Sequence, residues 1–380
     1  MFSRFLLLIL ISFAYQSVSA DFSYAWPGLN YDSEYFSTEI KLRAQLRASS
    51  EEPPSFGLTD VDDVTDKSIN RGRIKIGGHV GSPKLTYYTE YDFPSSRLLD
   101  LRFTYEPTDR FNIRVGQWKV PFNRERIDSS SKQQFADRSI SNRWFTLDRQ
   151  RGVVAFGRSL AGSALDSTWH IGVIEGTGRN GEGEAEDPLL LGRWDWNFLK
   201  EPLAFSQSDT DRQEKAAGVV SFVTASYRGP YTAFSSSGGG QLPGYVEGDD
   251  DRYDVLQYAL ESAWQYRGFS WQQEWHIKKI EDTVTGREQT IRGGYVQAGT
   301  FPVTYFEQVP EQLEFAVRYA RVEPSDRLQV HQREWTLAVN WFFSGHDSKL
   351  TLDYTNGRGD LSRVRDLKYR VYRLQWDFHL

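Results

Sequence analysis

The chain has 380 residues, 45 Lys and Arg against 51 Asp and Glu, a formal net charge of −6, and no Cys. An acidic balance speaks against a nucleic-acid partner, which is met by a basic face, and the lack of Cys excludes disulfides. Mean hydropathy is −0.57, and no stretch beyond the N-terminus is apolar enough for a spanning helix, yet 12 Trp, 20 Tyr and 24 Phe need a surface to cover. A membrane barrel wall reads this way, because alternation averages out in a hydropathy window.

Residues 1–20, "MFSRFLLLILISFAYQSVSA", read as a secretory signal: Arg4, an apolar core from Phe5 to Ile11, and the small-residue site Val18-Ser19-Ala20. Cleavage after Ala20 would remove Arg4 and leave 44 basic against 51 acidic residues, a charge of −7. Residues 21–380 then form one domain. Sixteen segments alternate with period two, the mark of strands with one apolar face. They are 36–47, 69–80, 84–92, 97–106, 110–119, 152–158, 168–175, 188–198, 216–227, 253–266, 269–280, 289–299, 312–322, 333–343, 349–356 and 370–380. In the first, Ile40, Leu42, Ala44 and Leu46 oppose Lys41, Arg43, Gln45 and Arg47. In the fourth, Leu99, Leu101, Phe103 and Tyr105 oppose Asp100, Arg102, Thr104 and Glu106. The last, "VYRLQWDFHL", carries Tyr372, Leu374, Trp376, Phe378 and Leu380 on one face. No amphipathic helix competes, since 132–143 lacks a continuous apolar stripe.

Connections after odd-numbered segments are often long (48–67, 120–151, 228–252), and those after even-numbered ones often short (81–83, 106–110, Arg267-Gly268). Long outer loops, short inner turns and an even strand count describe an all-β, antiparallel, up-and-down transmembrane barrel of about 16 strands in a Gram-negative outer membrane. The inner connections 199–215 and 300–311 break the pattern by their length. Aromatics near predicted strand ends (Trp26, Phe36, Phe93, Trp169, Tyr253, Tyr266, Phe269, Phe301, Phe343, Phe378) suggest two interfacial girdles.

"LDLRFTYEPTDRFNIRVGQWKVPFNRERIDSSSKQQFADRS", "DRQRGVVAFGR", "GGYVQAGTF", "LEFAVRYARVEPSD", "WTLAVNWFFSGHDSKLTLDYTN" and "YRVYRLQWDF" resemble the phosphate-selective porin O and P family. The resemblance implies a 16-stranded homotrimeric outer-membrane barrel whose third loop folds into the pore, with Arg and Lys lining the path of anion-selective members. The terminal strand also resembles the signal read by barrel-assembly machinery, with Leu380 where Phe is usual.

The third outer loop, 119–151, holds Lys119, Arg124, Arg126, Lys132, Arg138, Arg143, Arg149 and Arg151 against Glu125, Asp128, Asp137 and Asp148, a net charge of +4. Folded into a lumen, it would set a positive field at the narrowest point and select anions. Lys119, Arg124 and Arg126 begin the loop and stand first among the candidates. Lumen-facing strand positions add Arg73, Arg102 and Arg114, with Lys41, Arg43, Arg47, Arg71, Lys75, Arg292, Arg318 and Arg373, among acids Glu39, Glu90, Asp92, Asp100, Glu106, Glu314, Glu334 and Asp377. The family's phosphate-selective members are Lys-rich at the constriction, whereas this loop offers only Lys119 and Lys132, and 228–252 has no Lys.

Acidic stretches at 60–66, 182–187 and 247–251 read as solvated loops without a complete calcium-loop spacing, and "GRGD" at 357–360 reads as a turn. No nucleophile elbow, zinc-protease motif or phosphate-cradling glycine loop occurs, so the reading is not an enzyme and assigns no cofactor or metal. The expected function is passive diffusion of small hydrophilic solutes, preferably anions such as phosphate or other oxyanions, in contact with outer-membrane lipid and lipopolysaccharide. The competing reading is a secreted β-rich binding or adhesion protein that uses its acidic loops as contacts.

Overall fold

The computed structural model describes residues 21–24, 28–52, 64–176, 178–179, 187–229, 253–323, 331–361 and 364–380. Two short strands, β1 (Asp21–Tyr24) and β2 (Leu29–Asp32), precede sixteen long ones. These are β3 (Ser37–Glu52), β4 (Val64–Val80), β5 (Ser82–Asp92), β6 (Arg97–Thr108), β7 (Phe111–Lys119), β8 (Arg149–Ser159), β9 (Ser167–Ile174), β10 (Asp187–Trp196) and β11 (Ala217–Gly229), then β12 (Tyr253–Tyr266), β13 (Phe269–Asp282), β14 (Arg287–Thr300), β15 (Leu313–Glu323), β16 (Gln332–Ser344), β17 (Ser348–Leu361) and β18 (Val364–His379). Each pairs antiparallel with the next, and β18 pairs with β3 from Arg370↔Glu52 to His379↔Arg43, which closes the barrel. A two-layer sandwich is thereby excluded.

All sixteen predicted strands are present, several of them longer than predicted at the end that carries the long loops, here the upper rim. β3 continues through "ASSEE" and β4 starts at "VTDKS". Both faces are polar there, so alternation vanishes while the ladder persists. β1 and β2 were not predicted. β2 pairs with β3 from Leu29↔Ile40 to Asp32↔Ser37, just beyond the point where Leu42 and Leu380 exchange backbone hydrogen bonds of 2.8 Å. It thus continues the line of β18 and leaves the start of β3 paired.

Alternation appears as exposure. Leu42, Leu46, Trp335, Leu337, Leu352, Tyr372, Leu374 and Trp376 are exposed on the outer face, while Gln45, Glu334, Thr336, Asn340, Thr351 and Asp377 are buried on the inner. A two-residue turn of type I′ needs positive φ at both positions, and Arg267 (45°) and Gly268 (77°) supply it between Tyr266 and Phe269. Four expectations are corrected. Leu99 does not face outward, because a register shift between Glu90 and Tyr91 leaves it in a bulge, buried. Arg292 faces outward, paired with the exposed Ile277. Tyr253 and Phe301 are buried rather than girdle residues. "GRGD" lies within β17, where Gly357 has no room for a side chain: a Cβ would lie 2.0 Å from the Tyr369 ring. Trp26, the acidic stretches 182–186 and 247–251, and most of 60–66 lie outside the described residues.

Candidate functional site: the lumen and its inward loop

The connection between β7 and β8, residues 120–148 (L3), lies against the inner faces of the strands from β10 round through β18 to β3. It contains two short helices, α1 (Arg124–Ile127) and α2 (Ile140–Phe145). Its apolar side chains Phe122, Trp144, Phe145 and Leu147 share one buried cluster with inward residues of the wall, among them Leu191, Val223, Val255, Ile280 and Ile291. The inner face is therefore not uniformly polar. Near the upper rim it is apolar where L3 covers it, which removes both surfaces from water. Gly293 and Gly299 on β14 provide the space: a Cβ on Gly293 would lie 2.9 Å from Phe145 Cε2, and one on Gly299 1.8 Å from Gln134 Nε2.

L3 is also held by its main chain. Buried backbone N–H groups require acceptors, and wall carboxylates supply them. Arg124 N donates to Glu261 Oε1 (2.9 Å), Glu125 N to Glu274 Oε1 (2.5 Å), Ile140 N to Glu334 Oε1 (3.0 Å) and Ala136 N to Asp353 Oδ2 (2.8 Å). Within the loop, Ser139 donates twice to Glu125, at 2.7 and 2.8 Å. The long inner connection after β10 completes the seat: Gln134 N donates to Gln207 Oε1 (2.9 Å), and Gln207 N to Lys132 O (3.0 Å).

The candidate cations divide into three groups. Arg124 is buried with its guanidinium 4.8 Å from the Phe205 ring centroid and a hydrogen bond to Ala204 O, and Arg126 is buried against Asp148. Arg73 bridges Glu90 (2.6 Å) and Asp92 (2.9 Å). Lys132 and Arg143 are exposed, with no ion pair among the described residues. Lys119, Arg138, Arg102 and Arg114 form the third group: half-buried and without a carboxylate partner within 4.0 Å among the described residues. Lys119 Nζ donates to the carbonyls of Ile127 (3.1 Å) and Asp128 (3.0 Å), and Arg138 to those of Glu125 (2.8 Å) and Asp128 (3.0 Å). Arg102 stacks over Tyr88 at 4.9 Å, and Arg114 over Phe156 at 5.0 Å.

Arg71 and Lys75, on the inner face of β4, join this third group, and Arg71 lies within electrostatic reach of Arg43, Arg73 and Arg138. The inner faces of β4–β6, and of β7 below Lys119, are thus left bare by L3 and carry cations with no carboxylate within 4.0 Å among the described residues, whereas β3 meets L3 through Arg43 on Ser130 (2.7 Å) and Arg47 on Asp137 (2.9 Å). The acids predicted there are mostly engaged: Glu39 by Lys41 (2.6 Å), Glu90 and Asp92 by Arg73, and Asp100 by Arg149. Glu106 stands exposed at the lower end without an ion pair. On L3, burial would raise the Asp137 carboxyl, but Arg47 (2.9 Å) and Arg373 (3.1 Å) hold it well below the usual range. Burial raises Glu125, against the pull of Arg318 at 3.5 Å.

The sequence reading missed Arg193, which is buried and bonded to Asp195 (2.8 Å) and Glu261 (2.8 Å), and it missed Glu261, Glu274 and Asp353 as anchors. Arg193 shares strand parity with Leu189, Leu191 and Asp195, a signal that was available. What parity lacked was the covering loop. Among the described residues, no group of His, Cys, Asp and Glu is placed to hold a metal ion.

Comparison with known proteins agrees with this architecture. The sequence model of the phosphate-selective porin O and P family matches residues 40–378. Similar solved structures include the anion-selective porin from Comamonas acidovorans (TM-score 0.60, 10% identity, 91% of this chain and 100% of that one) and the outer membrane channel DcaP of Acinetobacter baumannii (0.60, 11%, 91% and 98%). A third is the trimer form of OmpT, an outer membrane protein of Vibrio cholerae (0.55, 11%, 91% and 100%). At such identities these likenesses speak for the fold. No curated protein sequence matches the chain.

Proposed function

The chain belongs to the phosphate-selective porin O and P family, and on that premise we propose an anion-preferring passive diffusion channel whose path runs between the bare inner wall of β4–β7 and the face of L3 turned toward it. One observation carries the reading. Among the described residues Arg71, Lys75, Arg102, Arg114, Lys119 and Arg138 have no carboxylate partner within 4.0 Å, whereas the carboxylates under L3 accept hydrogen bonds from its amides and from Arg193, and Glu334 also pairs with Arg318 at 3.6 Å. A strip of positive charge between low-dielectric walls focuses the field on the solution between them, and its donors replace part of an anion's hydration shell. Arg offers a planar fork suited to oxyanions, and Lys a point charge. With Lys scarce, the preference suits small oxyanions and carboxylates broadly, phosphate among them.

In this reading the protein is exported with cleavage after Ala20, inserted into a Gram-negative outer membrane by barrel-assembly machinery, and assembled as a homotrimer, as the solved trimer form of OmpT is. Lys119, Arg138, Arg102 and Arg114 are the residues expected to meet the solute, Lys132 stands at the edge of the path, and Arg73, Arg124 and Arg126 hold its walls. The test is a reversal-potential measurement across a KCl gradient in a planar bilayer, followed by addition of phosphate. A reversal on the anion side with reduced chloride current is expected. A reversal on the cation side would overturn the anion preference and leave a general porin.

A further inference from the structure

Outside the lumen, four basic residues stand side by side near the upper rim. Arg321 pairs in register with Arg333, Arg333 with Arg358, and Arg358 with Lys368, across the neighbouring strands β15–β18. All four are exposed and share strand parity with the outward Tyr319, Trp335, Tyr354 and Tyr372. Like charges directly opposite one another, with Cβ atoms about 5 Å apart, destabilise a sheet. Elsewhere three outward arginines are answered by carboxylates: Arg151 by Glu175 (2.7 Å), Arg228 by Asp254 (2.5 Å) and Arg370 by Glu52 (3.0 Å). In the row, Arg321 has Glu323 on its own strand. Arg333 and Arg358 have neither an ion pair nor a side-chain hydrogen bond among the described residues.

Directly below these two arginines lies a groove of about 640 Å³ on the outer face, lined by Tyr319, Trp335, Leu337, Tyr354 and Asn356, with Arg333 and Arg358 at its upper edge. Tyr319 packs on Trp335 with centroids 4.6 Å apart, and Tyr354 on Tyr372 at 4.9 Å. Aromatic belts mark the depth of lipid head groups, so the arginines just above them stand at phosphate level. A cationic row over an apolar groove has the complementary shape of an amphiphile with an anionic head. We propose that this face binds a phosphate-bearing lipid of the leaflet at the upper rim, its phosphate forked by Arg333 and Arg358 and an acyl chain in the groove. The site rests on the reading as a membrane barrel, but not on the selectivity of the pore.

The test uses the full-length barrel folded in non-ionic detergent, with lipid retention read by native mass spectrometry for diphosphoryl lipid A and for phosphatidylcholine. Parent protein should retain diphosphoryl lipid A at least about tenfold better than phosphatidylcholine, and Arg333→Glu with Arg358→Glu should abolish that preference. Arg333→Gln with Arg358→Gln serves if the doubly acidic variant folds poorly. Equal retention by parent and variant would overturn the site. Displacement of the lipid by inorganic phosphate alone, with no effect of Trp335→Ser, would overturn the lipid as occupant and leave a simple anion patch. Bilayer conductance of the variants should match the parent; a parent without conductance would count against the porin reading and not against lipid retention.

Discussion

Across the lumen stand two walls built on the same strand alternation: the inner face from β10 round through β18 to β3, which L3 covers, and that of β4–β7, which it leaves bare below Lys119. On the covered wall Glu261, Glu274, Glu334 and Asp353 are buried or nearly so and accept from L3 amides, while Lys278 and Lys349 point into the same interface. On the bare wall Arg71, Lys75, Arg102 and Arg114 stay half-buried with no carboxylate within 4.0 Å among the described residues. A charge on an inward strand position is therefore not in itself a pore charge. It acts on solutes only where nothing else has taken it up, and the chain assigns its acids to holding the loop and many of its cations to the path.

The largest effect should come from reversing the bare wall. Arg71→Glu, Lys75→Glu, Arg102→Glu and Arg114→Glu together should turn the reversal potential from the anion to the cation side. An unchanged sign would place the path elsewhere. Next comes the anchor on the opposite side. Glu261→Ala leaves the buried Arg193 with Asp195 as its one remaining carboxylate among the described residues and removes the acceptor of Arg124 N, which should cost about 3 kcal/mol of stability in denaturant unfolding and raise current noise. A variant as stable and as quiet as the parent would mean that apolar packing alone seats L3.

Acidity should separate the two walls more gently. Burial raises Glu125 and Asp128, outweighing Arg318 at the first and Arg124 at the second. Burial would also raise Asp137 and Asp148, but Arg47 and Arg373 hold the first low, and Arg126 and Arg179 the second. As pH falls from 7, the raised pair takes up protons first, so the lumen gains positive charge and anion preference should grow. The stability that Asp137 and Asp148 contribute is full above the unfolded carboxylate pKa of about 4 and is lost only as pH falls through their lower folded values. L3 should therefore stay docked meanwhile. Permeability ratios between pH 7 and 4.5 check the sign; a falling anion preference would contradict it. The smallest effects belong to Lys132→Ala and Arg143→Ala, both exposed and without an ion pair among the described residues, with stability changes within about 0.5 kcal/mol and conductance shifts below about twofold. A larger loss for Lys132→Ala would move the constriction toward the tip of L3.

The strand pattern of this protein was legible from the chain alone, because period-two alternation is a local property and lipid outside with water or protein inside imposes it on each strand separately. Strand count, closure and the outward rows of Leu, Trp and Tyr follow from that. The positive third loop was legible too, since charge is countable. What the loop does with each charge was not. Arg124 and Arg126, near the start of the loop, are tied to Ala204 of the inner connection and to Asp148 of L3 itself, while Arg71 and Lys75, two among many inward cations, have no ion pair among the described residues. Neighbours on other strands decided this, some more than a hundred residues away: Glu261 for the Arg124 amide, Arg373 for Asp137. The same holds for Gly293 and Gly299, whose missing side chains have meaning only once Phe145 and Gln134 lie against them. Local periodicity writes the wall of a barrel, but the free charge inside it is what remains after long-range pairing, and only the folded chain performs that subtraction.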